Sequence, residues 1–196
     1  MFEPLPSDPE QHLMLRFQAG DELAFEKLYQ RVRDPVWRYA RRMLGEDQAA
    51  EEAAQEILVR IFRARRSYQP TARFRTWLYR VATNHCLNER QRAWRRREVD
   101  LPEGEADSLP ASSPDPAQGA EAAALAHAVQ AALDALPARQ RAAVVLARWE
   151  GCSMEEIAQA LDLPSAGAAK LLLYRARTAL EQHLSPYLAP AAEEVP

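Results

Sequence analysis

The chain has 196 residues, 47% of them hydrophobic and 27% charged, with a formal net charge of −3. That length suits two small domains, and no apolar run approaches the roughly 20 residues of a membrane crossing. No basic-then-apolar leader opens the sequence, so a soluble, unexported, cytoplasmic protein is expected. Cys86 and Cys152 stand apart without CxxC spacing, and none of the six glycines falls in a GxGxxG or P-loop pattern. A disulfide framework, a sequence-encoded metal site and a nucleotide-binding α/β fold are all disfavoured. Alanine, leucine, arginine and glutamate dominate, which predicts an all-α chain.

In chain order, Ser7, Pro9 and Glu10 form a capping-box-like helix start, and Gly20 followed by Asp21 reads as a stop and restart. Asp34 before Pro35 reads as the cap of a further helix. Over 47–66, Ala50, Ala54, Ile57, Leu58, Ile61 and Phe62 recur at helical spacing and should face a core. Glu52, Gln55, Glu56, Val59 and Arg63 make the opposite stripe. Over 73–97, Phe74, Trp77, Leu78, Val81, Leu87 and Trp94 alternate with arginines, predicting one or two helices, with Asn84 near a break between them.

Charge is strongly segregated. Residues 60–97 hold 12 arginines against the single Glu89, a local charge of +11, whereas 98–121 hold seven acids and no base. The basic block has the electrostatic footprint of a polyanion-binding surface, though a solvated arginine-rich helix gives the same pattern. Residues 98–120, with four prolines and no helical period, read as a flexible acidic linker that could span on the order of 75 Å. Beyond it, one helix is expected over 120–136 and another from Pro137. Ser153 and Glu156 form a capping box, Asp162, Leu163 and Pro164 a tight turn, and Ser165 a cap for a helix running to about Leu184. With Lys170, Arg175 and Arg177 on its second helix, this pair has the form of a helix-turn-helix, a form that non-binding helical hairpins share. The stretch from Ser185 is expected to be a disordered tail.

Taken together, AFEKLYQRVRDPVWRYARRMLG, AAEEAAQEILVRIFRARRSYQP and RFRTWLYRVATNHCLNERQRAWRRR resemble the second domain of bacterial RNA polymerase sigma factors. LPARQRAAVVLARWEGCSMEEIAQALDLP and YRARTAL resemble their fourth. The two-domain layout without a third resembles the extracytoplasmic-function (ECF) group of the sigma-70 family. The resemblance implies a sigma domain 2 over 1–97, the linker 98–120, a sigma domain 4 over 121–184 and the tail 185–196.

It further implies a transcription initiation factor, not an enzyme, that needs no cofactor or metal. Its partners would be core RNA polymerase (β′ clamp helices and β flap), promoter DNA and an anti-sigma factor, with no membrane insertion; an anti-sigma factor could hold it at the inner membrane face. Glu52, Gln55 and Glu56 match the core-binding surface. Phe74, Trp77 and Tyr79 match the aromatic helix that opens the −10 element, and Asn84 a base-capturing loop. Arg80, Arg90, Arg92, Arg95, Arg96 and Arg97 would track phosphates or duplex edges beside the opened bases.

Ser165, Gly167, Lys170 and Arg175 match the helix that reads the −35 element. There the family's threonine, serine and arginine are replaced by Ala168, Leu171 and Leu172, so that Leu171 and Leu172 could instead widen an apolar face for a protein partner. Two other readings stay open: a polymerase-independent helix-turn-helix regulator, and a degenerate sigma-like adaptor.

Overall fold

Asp8 joins the two ends of the N-terminal module. In the computed structural model, which describes residues 8–100 and 120–188, one of its carboxylate oxygens accepts from the Gln11 amide (2.9 Å) and the other from the Phe74 amide (2.7 Å). One side chain thereby caps α1 (Pro9–Gln18) and the first turn of α4 (Phe74–Asp100), 66 residues away. The cap of α1 is Asp8; the expected Ser7 lies outside the described residues.

Gly20, at φ +109°, reverses the chain into α2 (Glu22–Leu44), which Asp21 caps as expected. The expected helix break at Asp34 does not occur. Proline inside a helix forfeits a backbone hydrogen bond, at a cost of about 3 kcal/mol. Here Leu28, Val32, Val36, Tyr39, Ala40 and Met43 form one buried stripe that runs straight past Pro35, and the burial of those side chains offsets the loss.

From Gly45 the chain turns into α3 (Asp47–Arg63) and a 3-10 turn (Ala64–Arg66). The apolar stripe of α3 is buried as predicted, except Phe62, which is 46% exposed. The predicted break at Asn84 is also absent, since α4 is one helix whose rear packs on α2 and α3. Trp94, expected on its apolar side, stands 61% exposed, because α4 has by then run past the α2–α3 core.

The C-terminal module comprises α5 (Ala120–Ala135), α6 (Ala138–Arg148), α7 (Met154–Ala160) and α8 (Ala166–Leu188). Ser153 and Glu156 form the predicted capping box. Residues 98–100 of the expected linker continue α4, and 101–119 lie outside the described residues. The last helix continues four residues past the predicted Leu184, and 189–196 lie outside the described residues. Among the described residues the regular structure is entirely helical, and no helix is long and apolar enough to cross a membrane.

The two modules dock on one another, and a single apolar cluster extends from Met14 and Phe17 through Tyr79 to Leu146 and Ile157. The junction nevertheless has a strong polar component. Arg141 of α6, with 0% exposure, donates to the Met43 carbonyl at the end of α2 (2.9 Å) and pairs with Asp134 (2.5 Å). Arg90 of α4 donates to the same carbonyl (3.1 Å). Burial and the neighbouring Arg90 charge lower the Arg141 guanidinium to about 10, with Asp134 opposing them. Gly45, at φ +88°, caps α2 here, and a side-chain carbon on it would meet the Asp134 carboxylate at 3.2 Å.

Asp8→Ala should cost about 1–2 kcal/mol in chemical denaturation, because two helix ends lose their cap. Asp8→Asn, which keeps an acceptor oxygen, should recover part of that.

Candidate nucleic-acid and polymerase interface

Two outward stripes flank the N-terminal core. On α4, Arg73 just before the helix, then Trp77, Arg80, Asn84, Asn88, Gln91 and Arg95, recur every three or four residues on the side turned away from α2 and α3. Arg80, Asn84, Gln91 and Arg95 are exposed and Trp77 is half-buried. Asn84 is therefore a mid-helix amide presented to solvent, flanked by a cation one turn earlier, and not a loop residue. Arg73, Asn88 and Gln91 join the ribbon at positions that the period of its outward residues already marks.

The aromatic residues divide by burial. Tyr68, Phe74 and Trp77 form a cluster with ring centroids 5.0–6.1 Å apart, in which Phe74 is 1% exposed and Tyr68 is buried. Phe74 is a core residue here and offers no face for stacking; Trp77 alone of the three reaches the surface. Tyr79 is buried too. Its ring lies 5.2 Å from that of Tyr39, and its hydroxyl donates to Glu150 of the other module. Burial first, then that carboxylate, push its phenol well above the ordinary tyrosine value.

Arg75 pairs with the same carboxylate (3.3 Å) and lies over the Tyr79 ring, while Thr76 donates to Glu156 of α7 (3.4 Å). In this docked arrangement α4 thus turns one side to α6 and α7 and leaves its ribbon exposed.

The arginines divide as well. Arg90 clips the end of α2, its guanidinium donating to the Met43 carbonyl and lying 4.0 Å from Asp134. Arg92 pairs with Glu89 (2.7 Å), and with Arg95 and Arg96 these residues line a shallow open cleft near the end of α4. Arg80, Arg95 and Arg96 remain exposed cations.

The second stripe lies on α3. Gln48, Glu52, Gln55, Val59, Phe62 and Arg63 follow one another along its outer side, with Gln48 donating to Glu52 (3.2 Å). Glu56 is half-buried and held by Arg60 (3.1 Å). At the far end the Phe62 ring lies 5.1 and 5.3 Å from those of Phe25 and Phe17, the exposed Tyr29 ring lies 6.5 Å from Phe25, and Val59 is exposed about one turn earlier on α3. The stripe is therefore polar at one end and aromatic at the other, and Tyr29 and Phe62, which spacing alone does not assign to it, belong to the aromatic end. The spacing of Phe62 equally fits the core.

In the C-terminal module, the Ser165 hydroxyl accepts from the Ala168 amide (3.2 Å) and caps α8 as expected. Gly167, Lys170 and Arg175 are exposed on its outer side. Leu171 is exposed as well, whereas Leu172 packs into the core, so only one of the two leucines adds to the surface.

Residues 28–96 match the family described as sigma-70 region 2, and residues 126–180 match sigma-70 region 4. The ECF RNA polymerase sigma factor SigE of Mycolicibacterium smegmatis is 36% identical over 191 residues, a match covering 96% of this chain and 73% of the relative. The ECF sigma-E factor of Escherichia coli is 29% identical, with 91% and 96% covered. Among solved structures, CnrH in complex with the cytosolic domain of CnrY overlays with a TM-score of 0.68 at 24% identity, covering 91% of this chain and 99% of CnrH. The sigma factor RpoE of Bartonella quintana, in complex with the anti-sigma factor NepR, gives 0.66 at 21% identity, with 82% and 96% covered. The fold and these relatives define a sigma factor of the sigma-70 class, and the chain belongs to its extracytoplasmic-function group. It is a transcription initiation factor.

His85, buried on the rear of α4, supplies a pH test of the packing behind this helix. Burial and the Arg60 charge lower its pKa from 6.5, so the folded state refuses a proton that the unfolded chain accepts. Stability should fall as the pH drops through about 6.5 and level off below the folded value. His85→Gln should remove that part of the slope in denaturation measured between about pH 7.5 and pH 5.

Proposed function

We propose that the α3 stripe docks this chain on core RNA polymerase while the α4 ribbon meets the −10 element as it opens. In this reading Glu52, Gln55 and Glu56, with Val59 and Phe62 beyond them, face the β′ clamp helices. A polar face with an aromatic end fits helix-on-helix docking, in which an aromatic anchor supplies energy and the polar groups set register.

On α4, Arg80, Arg95 and Arg96 neutralise phosphates, and Trp77 offers an aromatic surface to a base that has lost its stack. Asn84 has both donors and an acceptor for the edge of such a base. The observation that carries this reading is the single ribbon on which cation, ring and amide alternate along α4. Tyr79 joins them only if α6 and α7 leave α4, since Glu150 holds its hydroxyl in the docked arrangement. Arg90 is left out of the DNA contacts because it clips α2.

The C-terminal module places α8 in the upstream duplex and rests on the β flap, and the acidic linker keeps off DNA by like-charge repulsion. The work throughout is noncovalent, so the chain is not an enzyme and calls for no cofactor. An anti-sigma factor is a natural antagonist of both stripes; the solved relative RpoE is bound to one. The chain then acts in the cytoplasm, with sequestration at the inner membrane face as one form of control.

The test is run-off transcription with purified core polymerase and a promoter library. Gln55→Arg should weaken core binding by about tenfold or more, read by fluorescence titration. Asn84→Ala should leave assembly intact and relax promoter choice; unchanged core binding in the first, or lost assembly in the second, would reject those assignments. Arg95→Ala and Arg96→Ala should each lower the slope of log affinity against log salt by about one for promoter DNA.

A further inference from the structure

The outer side of α8 carries an apolar pair among cations. Gly167, Lys170, Leu171, Tyr174, Arg175 and Thr178 recur at three- and four-residue spacing along it, while Ala169, Leu172, Leu173 and Ala176 face the module's own core. Leu171 is 51% exposed and Tyr174 is 69% exposed, one turn apart, in the second and third turns of the helix. The helical period turns Leu172 to the core and leaves Leu171 and Tyr174 together on the outer side.

Their surroundings decide the kind of partner. Lys170 and Arg175 flank the pair and no carboxylate lies between residues 163 and 180, while Arg177 is paired with Glu181 (2.8 Å) one turn further on, so the face around Leu171 and Tyr174 is both apolar and cationic. A polyanion whose interior edge exposes methyl groups satisfies both features. In duplex DNA the major-groove edge of thymine does so, presenting a C5 methyl between phosphate rails. Leucine has no donor or acceptor, so it can read a base only through apolar contact. Of the four bases, thymine alone offers a methyl group there.

We propose that Leu171 and Tyr174 determine specificity by packing on thymine methyl groups of the upstream promoter duplex; this rests on the placement of α8 in that groove. Lys170 and Arg175 hold the neighbouring phosphates, and the hydroxyl of Tyr174 is left at the groove edge for water or a phosphate oxygen. The pair thus replaces hydrogen-bond readout with shape and methyl readout, and sequence preference at the contacted positions is for thymine over cytosine.

The experiment uses holoenzyme assembled from core polymerase and the full chain. It first selects an upstream duplex from a randomised pool, and that duplex is remade with deoxyuridine at each thymidine in turn, which removes only the C5 methyl. Wild type should bind roughly fourfold more weakly for each contacted methyl lost, the value expected for one buried methyl-sized group. Leu171→Ala should bind the thymidine and deoxyuridine duplexes equally at one position, and Tyr174→Ala at a neighbouring one. Lys170→Ala should weaken both duplexes alike.

Both apolar side chains are exposed, so the variants should keep the thermal unfolding of the parent, and loss of binding through misfolding is separable. Indifference of wild type to deoxyuridine, or a thymidine preference unchanged in both variants, would overturn the proposal while leaving DNA reading by α8 in place. Selection of a downstream sequence with no upstream one would overturn both. If Leu171→Ala then also lost affinity for core polymerase, the patch would belong to a protein contact instead.

Discussion

The structure depends on how α4 is gripped from behind. A helix with an arginine-rich outer side cannot bury that side, so its position has to be set by the few residues on its other faces. Leu78, Ala82 and Cys86 supply the buried apolar contact, and Thr83 shares a buried hydrogen bond with Tyr39 of α2 (2.5 Å). Asp8 ties down the start of the helix, and Arg90 clips its middle to the Met43 carbonyl. Rigidity at the rear keeps the ribbon at the front in register along its length, and a surface of cations and amides gains affinity for a partner only when its side chains are already aligned.

The same carbonyl also receives Arg141, so the end of α2 is where the two modules meet. Two guanidinium groups converging on one helix C-terminus benefit from its partial negative charge. Arg141 is nonetheless buried with only part of its donor capacity used, since its Nε and Nη2 have no hydrogen-bond partner. A buried cation is costly to desolvate and gives little net stability over an apolar substitute. The junction is therefore strongest in what it specifies, which is one orientation of α6 against α2, and weaker in what it contributes to cohesion.

Much of the local architecture is legible in the residues themselves. The capping box at Ser153 and Glu156, the stop at Gly20, the caps at Asp21 and Ser165 and the buried stripe of α3 all depend on neighbours within a few positions, where short-range chemistry decides. Pro35 and Asn84 show the limit of that logic. Each carries a local preference for a break, and each lies within a helix because distant packing outweighs the preference: the α2 stripe spans the proline, and the rear of α4 is buried on both sides of Asn84. Arg90 and Tyr79 show another limit. Nothing in their own spacing separates an arginine bound for phosphate from one bound to a carbonyl, or a ring facing solvent from one facing Glu150.

By itself the sequence determined the helical class, the two modules and the clustering of positive charge over 60–97, because these follow from composition, period and short-range capping, and its motifs resemble those of the family to which the chain belongs. Only the tertiary structure decided which aromatics remain available, which arginines are already engaged, and that Leu171 faces outward while Leu172 does not. Burial and hydrogen-bond satisfaction are properties of what lies opposite a side chain. For these residues, what lies opposite comes from helices tens of residues away.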